Sequence, residues 1–203
     1  MQAIDVGALS LFTATAVALL GSPGPVIALL VAVGQVAKPR VGFRFYCGTQ
    51  IGLSAAATLS CVGLASVLSL TSTTTQWLTY ASSAYLIWIA YRIATSPVGS
   101  GADVGANLLK SPLVTGVVVG AGNPKAYLAF ASLFASQAIV GEGGSADSGF
   151  KLFLIIAVMV VVDVAWLLIG FALGRAALPP KAERWLNIIL GASVALSVAA
   201  GVK

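Results

Sequence analysis

Two prolines and two glycines fall within the five residues Gly21-Ser22-Pro23-Gly24-Pro25, in the middle of a long apolar run from Ala8 to Val36. An interior proline removes one helical hydrogen bond and clashes with the carbonyl group one turn earlier, so a regular α-helix cannot continue through this cluster. Backbone groups freed inside a bilayer are tolerated only where they are buried in protein or line a cavity. The run is therefore predicted to form two half-helices with an unwound joint near the middle of a membrane span.

A second cluster of this kind, Gly120-Ala121-Gly122-Asn123-Pro124-Lys125, occurs about a hundred residues later in another apolar run. Paired interruptions in corresponding positions of two halves of a chain are the best sequence indication of a transporter binding site. The two clusters therefore predict a site in which two broken helices meet.

The composition is that of an integral membrane protein. Of 203 residues, 59% are hydrophobic and only 8% are charged, and the mean hydropathy is +1.00. A soluble domain carries roughly 25% charged residues. The net charge of +5 is explained by basic residues in short cytoplasmic loops, and no basic run is interleaved with aromatic residues, so nucleic-acid binding is not predicted.

Six apolar segments are long enough to cross a bilayer, which takes about twenty helical residues. Their predicted bounds are 7–35, 42–69, 76–95, 113–137, 151–174 and 184–202. Residues 96–112 are predicted to be a flexible cytoplasmic loop that separates a first half, 1–95, from a second half, 113–203, within a single transmembrane domain. Residues 138–149 are predicted to be a loop as well.

Basic residues are distributed unequally between the two sides of the predicted membrane. Two of them, Lys151 and Lys203, share a side with the chain termini, and eight lie on the other: Lys38, Arg40, Arg44, Arg92, Lys110, Arg175, Lys181 and Arg184. The positive-inside rule places the eight in the cytoplasm and both termini in the periplasm. Because each half has three spans, the halves are predicted to be inverted repeats, each with a broken first helix. The amino terminus lacks the basic start of a signal peptide, so the first helix is expected to remain.

Two ionisable residues, Lys125 and Asp163, fall near the middle of the fourth and fifth segments. A charge at this depth costs at least about 2.5–3.5 kcal/mol, so such residues usually face a partner or a wet cavity. Their opposite signs at matched depth predict a Lys125–Asp163 ion pair. The pair either fixes the register of the two helices or belongs to a substrate or proton site.

The chemistry of the two breaks suits a zwitterion. The start of a half-helix presents N–H groups to a carboxylate, and its end presents carbonyl groups to an ammonium group. Asp163 could also change its protonation state during transport, and the Asn123 amide either contacts the substrate or caps the helix beside Pro124. The candidate transport path consists of Ser22, Pro23, Gly24, Pro25, Asn123, Pro124, Lys125 and Asp163.

Other polar and small residues are interpreted as packing elements. Thr49, Gln50 and Asn187 are expected to bond to neighbouring helices. Glycine pairs four residues apart let helices approach closely; they are Gly48 and Gly52, Gly116 and Gly120, and Gly170 and Gly174. The two cysteines, Cys47 and Cys61, are fourteen residues apart on one predicted helix, roughly 20 Å, which is too far for a disulfide. Because the sequence has no histidine and no Cys-x-x-Cys motif, we predict no metal and no cofactor.

These motifs resemble those of the LysE/RhtB family of amino-acid exporters. The matching pieces are Ser22-Pro23-Gly24-Pro25, the basic first connection, Gly48-x-x-x-Gly52, the stretch from Ala84 to Arg92, Asn123-Pro124-Lys125-Ala126, and Asp163. The resemblance covers most of the chain. It implies a bacterial inner-membrane exporter of amino acids or related small metabolites, driven by the proton motive force, and not an enzyme.

The chain also departs from the family pattern. Many relatives have a polar residue after Pro-Gly-Pro where this chain has Val26, and the usual proline-containing ending between Lys125 and Gln137 is missing. Because of these departures, the resemblance implies the family but not a particular substrate.

Three alternatives remain open on the sequence. A membrane thiol–disulfide electron carrier needs two cysteines brought together, usually one from each half, and is disfavoured because Cys47 and Cys61 both lie in the first half. An accessory protein for the export of a lipid or another metabolite would not need charges at mid-membrane depth. A metal-ion exporter is disfavoured by the lack of histidine and of acidic clusters. The expected partners are a small-molecule substrate, an amino acid, and membrane lipid. The sequence is also compatible with a homo-oligomer.

Overall fold

The structure, a computed structural model, describes residues 4–63, 84, 87, 88, 91, 110–141, 143–176 and 179–201. The regular secondary structure of this part of the chain is helical, and Ile4 and Val140 form an isolated β-bridge. The helices are α1 (Val6–Gly21), α2 (Pro25–Val36), α3 (Pro39–Cys61), α4 (Pro112–Ala121), α5 (Pro124–Phe134), α6 (Ser145–Arg175) and α7 (Pro180–Gly201).

Proline determines where most of these helices begin. Pro25, Pro39, Pro112, Pro124 and Pro180 each occupy the first position of a helix. The first helical N–H has no partner within the helix, so proline loses nothing there, and its fixed φ suits the helix. The same residues that forbid a continuous helix through the two clusters therefore start a new one beyond each cluster.

Both predicted breaks are present. Residues 22–24 separate α1 from α2, and the two helices are bent by 60° at this joint. Gly122 and Asn123 separate α4 from α5. Each apolar run is thus divided into two half-helices, as the proline and glycine content predicts.

The six predicted spans are only partly matched by the described helices. Within the described residues, α6 alone is long and apolar enough to cross a bilayer, and α1 and α2 pass the same test when the bent pair is counted as one span. α3 has the length, at 23 residues, but it begins with the basic Arg40 and Arg44. Most of the predicted third span, 76–95, lies outside the described residues, although 84, 87, 88 and 91 are helical.

Three of the approximate predicted boundaries differ from the structure by four residues or more. α3 ends at Cys61 rather than at residue 69, because Gly63 follows with a positive φ of 75°, a conformation that ends helices. α6 begins at Ser145, so Asp147 belongs to its first turn and not to a loop. α7 begins at Pro180 instead of residue 184, since a proline is tolerated in the first turn.

One face of α6 is directed into the protein. Its buried residues recur every four positions, at Asp147, Lys151, Ile155, Met159, Asp163, Leu167 and Phe171. Residues four apart lie on one side of a helix. Other positions carry large exposed apolar side chains, such as Phe153, Val161 and Leu168. A large apolar surface outside, with the ionisable residues Asp147, Lys151 and Asp163 on the buried side, suits a helix that faces lipid.

Glycines bring four helices into direct backbone contact. α3 packs along α4, and α2 packs along α6. A methyl group on Gly120 would lie 2.6 Å from the carbonyl oxygen of Thr49, and one on Gly34 would lie 2.7 Å from that of Leu167. No larger residue fits at such distances, so the glycine pairs predicted to mediate close approach do so between these helices.

Candidate functional site

A cavity lies between the two breaks. Its apolar lining consists of Leu19, Leu20, Val26, Ile27, Leu53, Ala126, Ala129 and Met159, and the remaining lining residues are Ser22, Gly24, Asn123, Lys125 and Asp163. The cavity volume is about 30 Å³. That is enough for water but far below the roughly 300–1,000 Å³ of a small-molecule pocket. Binding of anything larger therefore requires side chains at this site to move.

The amino group of Lys125 lies at the end of α1. It donates hydrogen bonds to the Oγ of Ser22 at 2.8 Å, to the carbonyl oxygen of Pro23 at 3.0 Å, and to the carbonyl oxygen of Ser22. A lysine ammonium has three N–H donors, so these three oxygen atoms satisfy it completely. We call the three oxygen atoms the oxygen cage.

Partners for other oxygen atoms at this joint come from nearby elements. The Oγ of Ser22 donates to the carbonyl oxygen of Leu19 at 2.8 Å, and the indole N–H of Trp166 donates to that of Gly21 at 3.3 Å. The end of a helix leaves carbonyl groups without intrahelical partners. Lys125 and Trp166 thus supply from α5 and α6 the hydrogen bonds that the break in the first helix removes.

Asp163 is buried and accepts a hydrogen bond from the side-chain amide of Gln50 at 2.7 Å. Lys125 and Asp163 line the same cavity, but no carboxylate of a described residue lies within salt-bridge distance of Lys125. The predicted Lys125–Asp163 ion pair is therefore wrong for this conformation. Each residue finds a neutral partner instead, because the end of α1 offers carbonyl groups to the lysine and α3 offers an amide to the aspartate.

Two amide oxygens near these residues have no hydrogen-bond partner although they are buried. They are Oδ1 of Asn123 and Oε1 of Gln50. Asn123 stands at the N-cap position of α5, but its side chain does not cap the helix. An unsatisfied buried polar group costs roughly 1–3 kcal/mol. Both oxygens are therefore acceptors available to a water molecule or a ligand.

Most of the residues predicted for the transport path meet at this site. Ser22, Gly24, Asn123, Lys125 and Asp163 line the cavity, and Pro23 contributes its carbonyl oxygen to Lys125. Pro25 and Pro124 are the first residues of α2 and α5, and they shape the site by ending the preceding half-helices.

One polar residue has a larger role than its sequence context predicts. Gln50 is expected only to bond to a neighbouring helix, and it does so, but its partner is Asp163. The signal in the sequence is that Gln50 is an amide within an apolar segment, while a carboxylate predicted to lie at mid-membrane depth needs a donor. Thr49 takes the expected packing role, because its hydroxyl donates to the carbonyl of Tyr46 one turn earlier.

A second buried polar cluster, which the sequence analysis does not predict, lies at the start of α6. Asp147 and Lys151 form a salt bridge at 3.0 Å, and both side chains are buried. Asp147 also accepts backbone N–H groups of Ile139 and Val140 at 2.6 and 3.0 Å, and Lys151 donates to the carbonyl of Ser136 at 2.8 Å. This cluster ties the connection after α5 to α6. Its signal in the sequence is the acid-to-base spacing of four residues, which stabilises a helical turn.

The cysteines lie apart from the cavity lining. Both are on α3, where Cys47 is exposed and Cys61 is partly buried, and neither forms a disulfide. Their placement on one helix agrees with the sequence prediction.

The comparisons with known proteins give one match. The family model described as LysE type translocator matches residues 17–200. No curated protein and no solved structure was found to match the chain. The family model covers both breaks, the cavity and α6, and it agrees with the family resemblance of the sequence motifs. The chain therefore belongs to the LysE type translocator family, whose members are helical membrane transporters.

Proposed function

We propose that the protein is a secondary transporter that exports amino acids, or closely related small metabolites, across the bacterial inner membrane with coupling to protons. The observation that carries this proposal is the convergence of Lys125, Asn123 and Asp163 with the two helix breaks on one cavity. Membership of a translocator family supports transport as the activity, and the export direction follows the family resemblance.

The substrate class follows from the charges and acceptors at the cavity. An α-amino acid carries an ammonium and a carboxylate group on one carbon atom. Lys125 offers a cation for the carboxylate, and oxygen acceptors at the same cavity suit the ammonium group. Charge-assisted hydrogen bonds of this kind are roughly twice as strong as neutral ones. The mostly apolar remainder of the lining suits an uncharged side chain.

Asp163 is proposed to carry the coupled proton. It is the acidic side chain that lines the cavity, and its described hydrogen-bond donor, the Gln50 amide, is neutral. Ionisable residues inside membrane spans commonly form proton relays. A carboxylate that faces both the substrate and a neutral donor can take up a proton on one side of the membrane and release it on the other.

We further propose one transmembrane domain of six spans, arranged as two inverted three-helix repeats with both termini in the periplasm. The spans would be α1 with α2, α3, the segment 76–95, α4 with α5, α6 and α7. Equivalent breaks in the first and fourth spans support this arrangement, as does the excess of basic residues in the predicted cytoplasmic connections.

The experiment is counterflow in proteoliposomes with a panel of labelled amino acids, comparing wild type with Asp163→Asn. Asp5→Asn is the matched control, because Asp5 is exposed and caps α1, and asparagine caps a helix equally well. We expect at least one amino acid to exchange in wild type and in the control. In Asp163→Asn, movement driven by a pH gradient should be lost.

Either part of the proposal can fail separately. If no amino acid of the panel exchanges, the amino-acid assignment is wrong and a lipid or another metabolite becomes the leading cargo. If proton-driven movement survives Asp163→Asn unchanged, Asp163 is structural and another group couples transport to protons.

A further inference from the structure

We propose that Lys125 occupies the binding position of the substrate's ammonium group, and that the substrate displaces it from the oxygen cage. In this view the cage formed by Ser22 and Pro23 holds one primary ammonium group at a time, either that of Lys125 or that of the substrate. The displaced Lys125 then pairs with the substrate's carboxylate. The inference rests on the proposed function, because it assigns the two poles of the amino acid to particular atoms.

The chemistry of the cage supports this assignment. Three neutral oxygen atoms from consecutive residues surround the amino group of Lys125 and match its three donors. Nothing in this set is specific to a lysine side chain, since the ammonium group of an amino acid has the same charge and the same three donors. The cage lies beside the cavity, of which Ser22 and Lys125 form part of the lining.

The charge of Lys125 is the second argument. The buried Lys151 has Asp147 as its counter-ion at 3.0 Å. The half-buried Lys125 contacts only neutral oxygens, and no carboxylate of a described residue is within salt-bridge distance. Hydrogen bonds to neutral oxygens do not replace a counter-ion, so part of the desolvation cost of this cation remains until an incoming carboxylate offsets it. The carboxylate of the substrate is therefore the missing partner of Lys125.

Space is the third argument. The lysine chain crosses the joint at Gly24, where an added methyl group would lie 2.8 Å from Cδ and 3.1 Å from Nζ of Lys125. The cavity is only about 30 Å³ while the side chain is in this position. Withdrawal of Lys125 from Gly24 enlarges the cavity next to the cage. Because both poles of an α-amino acid share one carbon, a short withdrawal makes room for the ammonium group and keeps Lys125 near the carboxylate.

The first test removes the internal ammonium group. In Lys125→Ala, n-propylammonium replaces the three outer carbons and the nitrogen of the lost side chain, and its binding is measured by thermal-shift titration of the purified protein. Lys110→Ala is the matched control, since Lys110 is exposed. We expect n-propylammonium to bind Lys125→Ala at least tenfold more tightly than wild type or the control, with no effect of n-propanol. Equal binding to all three proteins, or no binding to any, would overturn the proposal.

The second test separates displacement from a purely structural role of Lys125. The affinities of L-leucine and L-valine are compared with those of their decarboxylated products, 3-methylbutylamine and isobutylamine. Wild type should prefer each amino acid over its amine at least tenfold, and Lys125→Ala should lose this preference. A lysine that only caps α1 would leave the ratio of the two affinities unchanged in the variant.

If Lys125→Ala does not fold, the comparison of amino acids with their amines in the wild-type protein still tests the proposal. An amine that competes as well as its parent amino acid shows that the carboxylate is not recognised, and the proposal falls. Failure of the proposed function looks different: no amino acid exchanges, while the result with n-propylammonium still shows whether the cage binds an ammonium group. Exchange with an unchanged preference ratio removes this inference and leaves the proposed function in place.

Discussion

The buried salt bridge at the start of α6 gives a stability prediction. Replacing Asp147 by asparagine keeps the shape of the side chain and one oxygen acceptor for the N–H groups of Ile139 and Val140. It removes the negative charge 3.0 Å from the ammonium group of Lys151, and both side chains are buried. Lys151 would keep only the carbonyl group of Ser136, at 2.8 Å, and the longer contact to that of Phe134.

The expected cost can be worked out from this geometry. Removing one partner of a buried ion pair destabilises a protein by roughly 3–5 kcal/mol, because an uncompensated charge remains inside. In a chain of 150–250 residues, 1 kcal/mol corresponds to about 2–4 °C in the unfolding temperature. We therefore expect Asp147→Asn to lower the unfolding temperature by on the order of 6–20 °C, the product of these two ranges.

Thermal unfolding in detergent, followed by tryptophan fluorescence, measures this shift. The double variant Asp147→Asn, Lys151→Met serves as the control, because it removes the orphaned charge as well. It should recover a substantial part of the lost stability. If the single variant loses less than about 1 kcal/mol, or the double variant is no more stable than the single one, the cluster does not stabilise the fold through its charges.

Two further predictions concern helix packing and the carboxylate at the cavity. Gly116→Ala should destabilise the fold by about 1–3 kcal/mol, since the new methyl group would lie 2.7 Å from the backbone nitrogen of Thr49. In the control Gly149→Ala the methyl group meets nothing within 4 Å, so chemical denaturation should show no loss of stability. Gln50→Met removes the amide that donates a hydrogen bond to Asp163, so the pH dependence of counterflow should shift. An unaltered pH profile would show that this hydrogen bond does not influence transport.

The backbone architecture of the site is largely predictable from the sequence. Proline and glycine act locally, so Gly21–Pro25 and Gly122–Pro124 indicate breaks regardless of what surrounds them. The predicted depth of Lys125 and Asp163 follows from counting residues along apolar segments. Local chemistry and segment length therefore identify the two broken helices and α6 as elements of the cavity, but not α3, which contributes Leu53.

The partners of the charged residues are not predictable in the same way. Matched depth and opposite charge favour a Lys125–Asp163 pair, but partner choice depends on how the helices are rotated and on which neutral groups lie closer. The broken end of α1 offers three oxygens to Lys125, and Gln50 reaches Asp163 from another helix. Both are long-range contacts, which periodicity and hydropathy do not encode.

The Asp147–Lys151 cluster is not predicted from the sequence for a different reason. The glycine-rich stretch before it indicates a loop, which places the predicted start of the helix six residues too late. The spacing of four residues between an acid and a base favours a helical turn, and it carries more information here than the glycines.

The oxygen cage also bears on how the protein enters the membrane. Lys125 lies 103 residues after Ser22, and ribosomes add roughly 5–20 residues per second, so on the order of 5–20 s pass before the lysine is made. Until then the carbonyl groups of Ser22 and Pro23 lack this partner, and each unsatisfied group costs several kcal/mol in hydrocarbon. The first span is therefore expected to stay in a hydrated site of the insertion machinery until α5 has been synthesised.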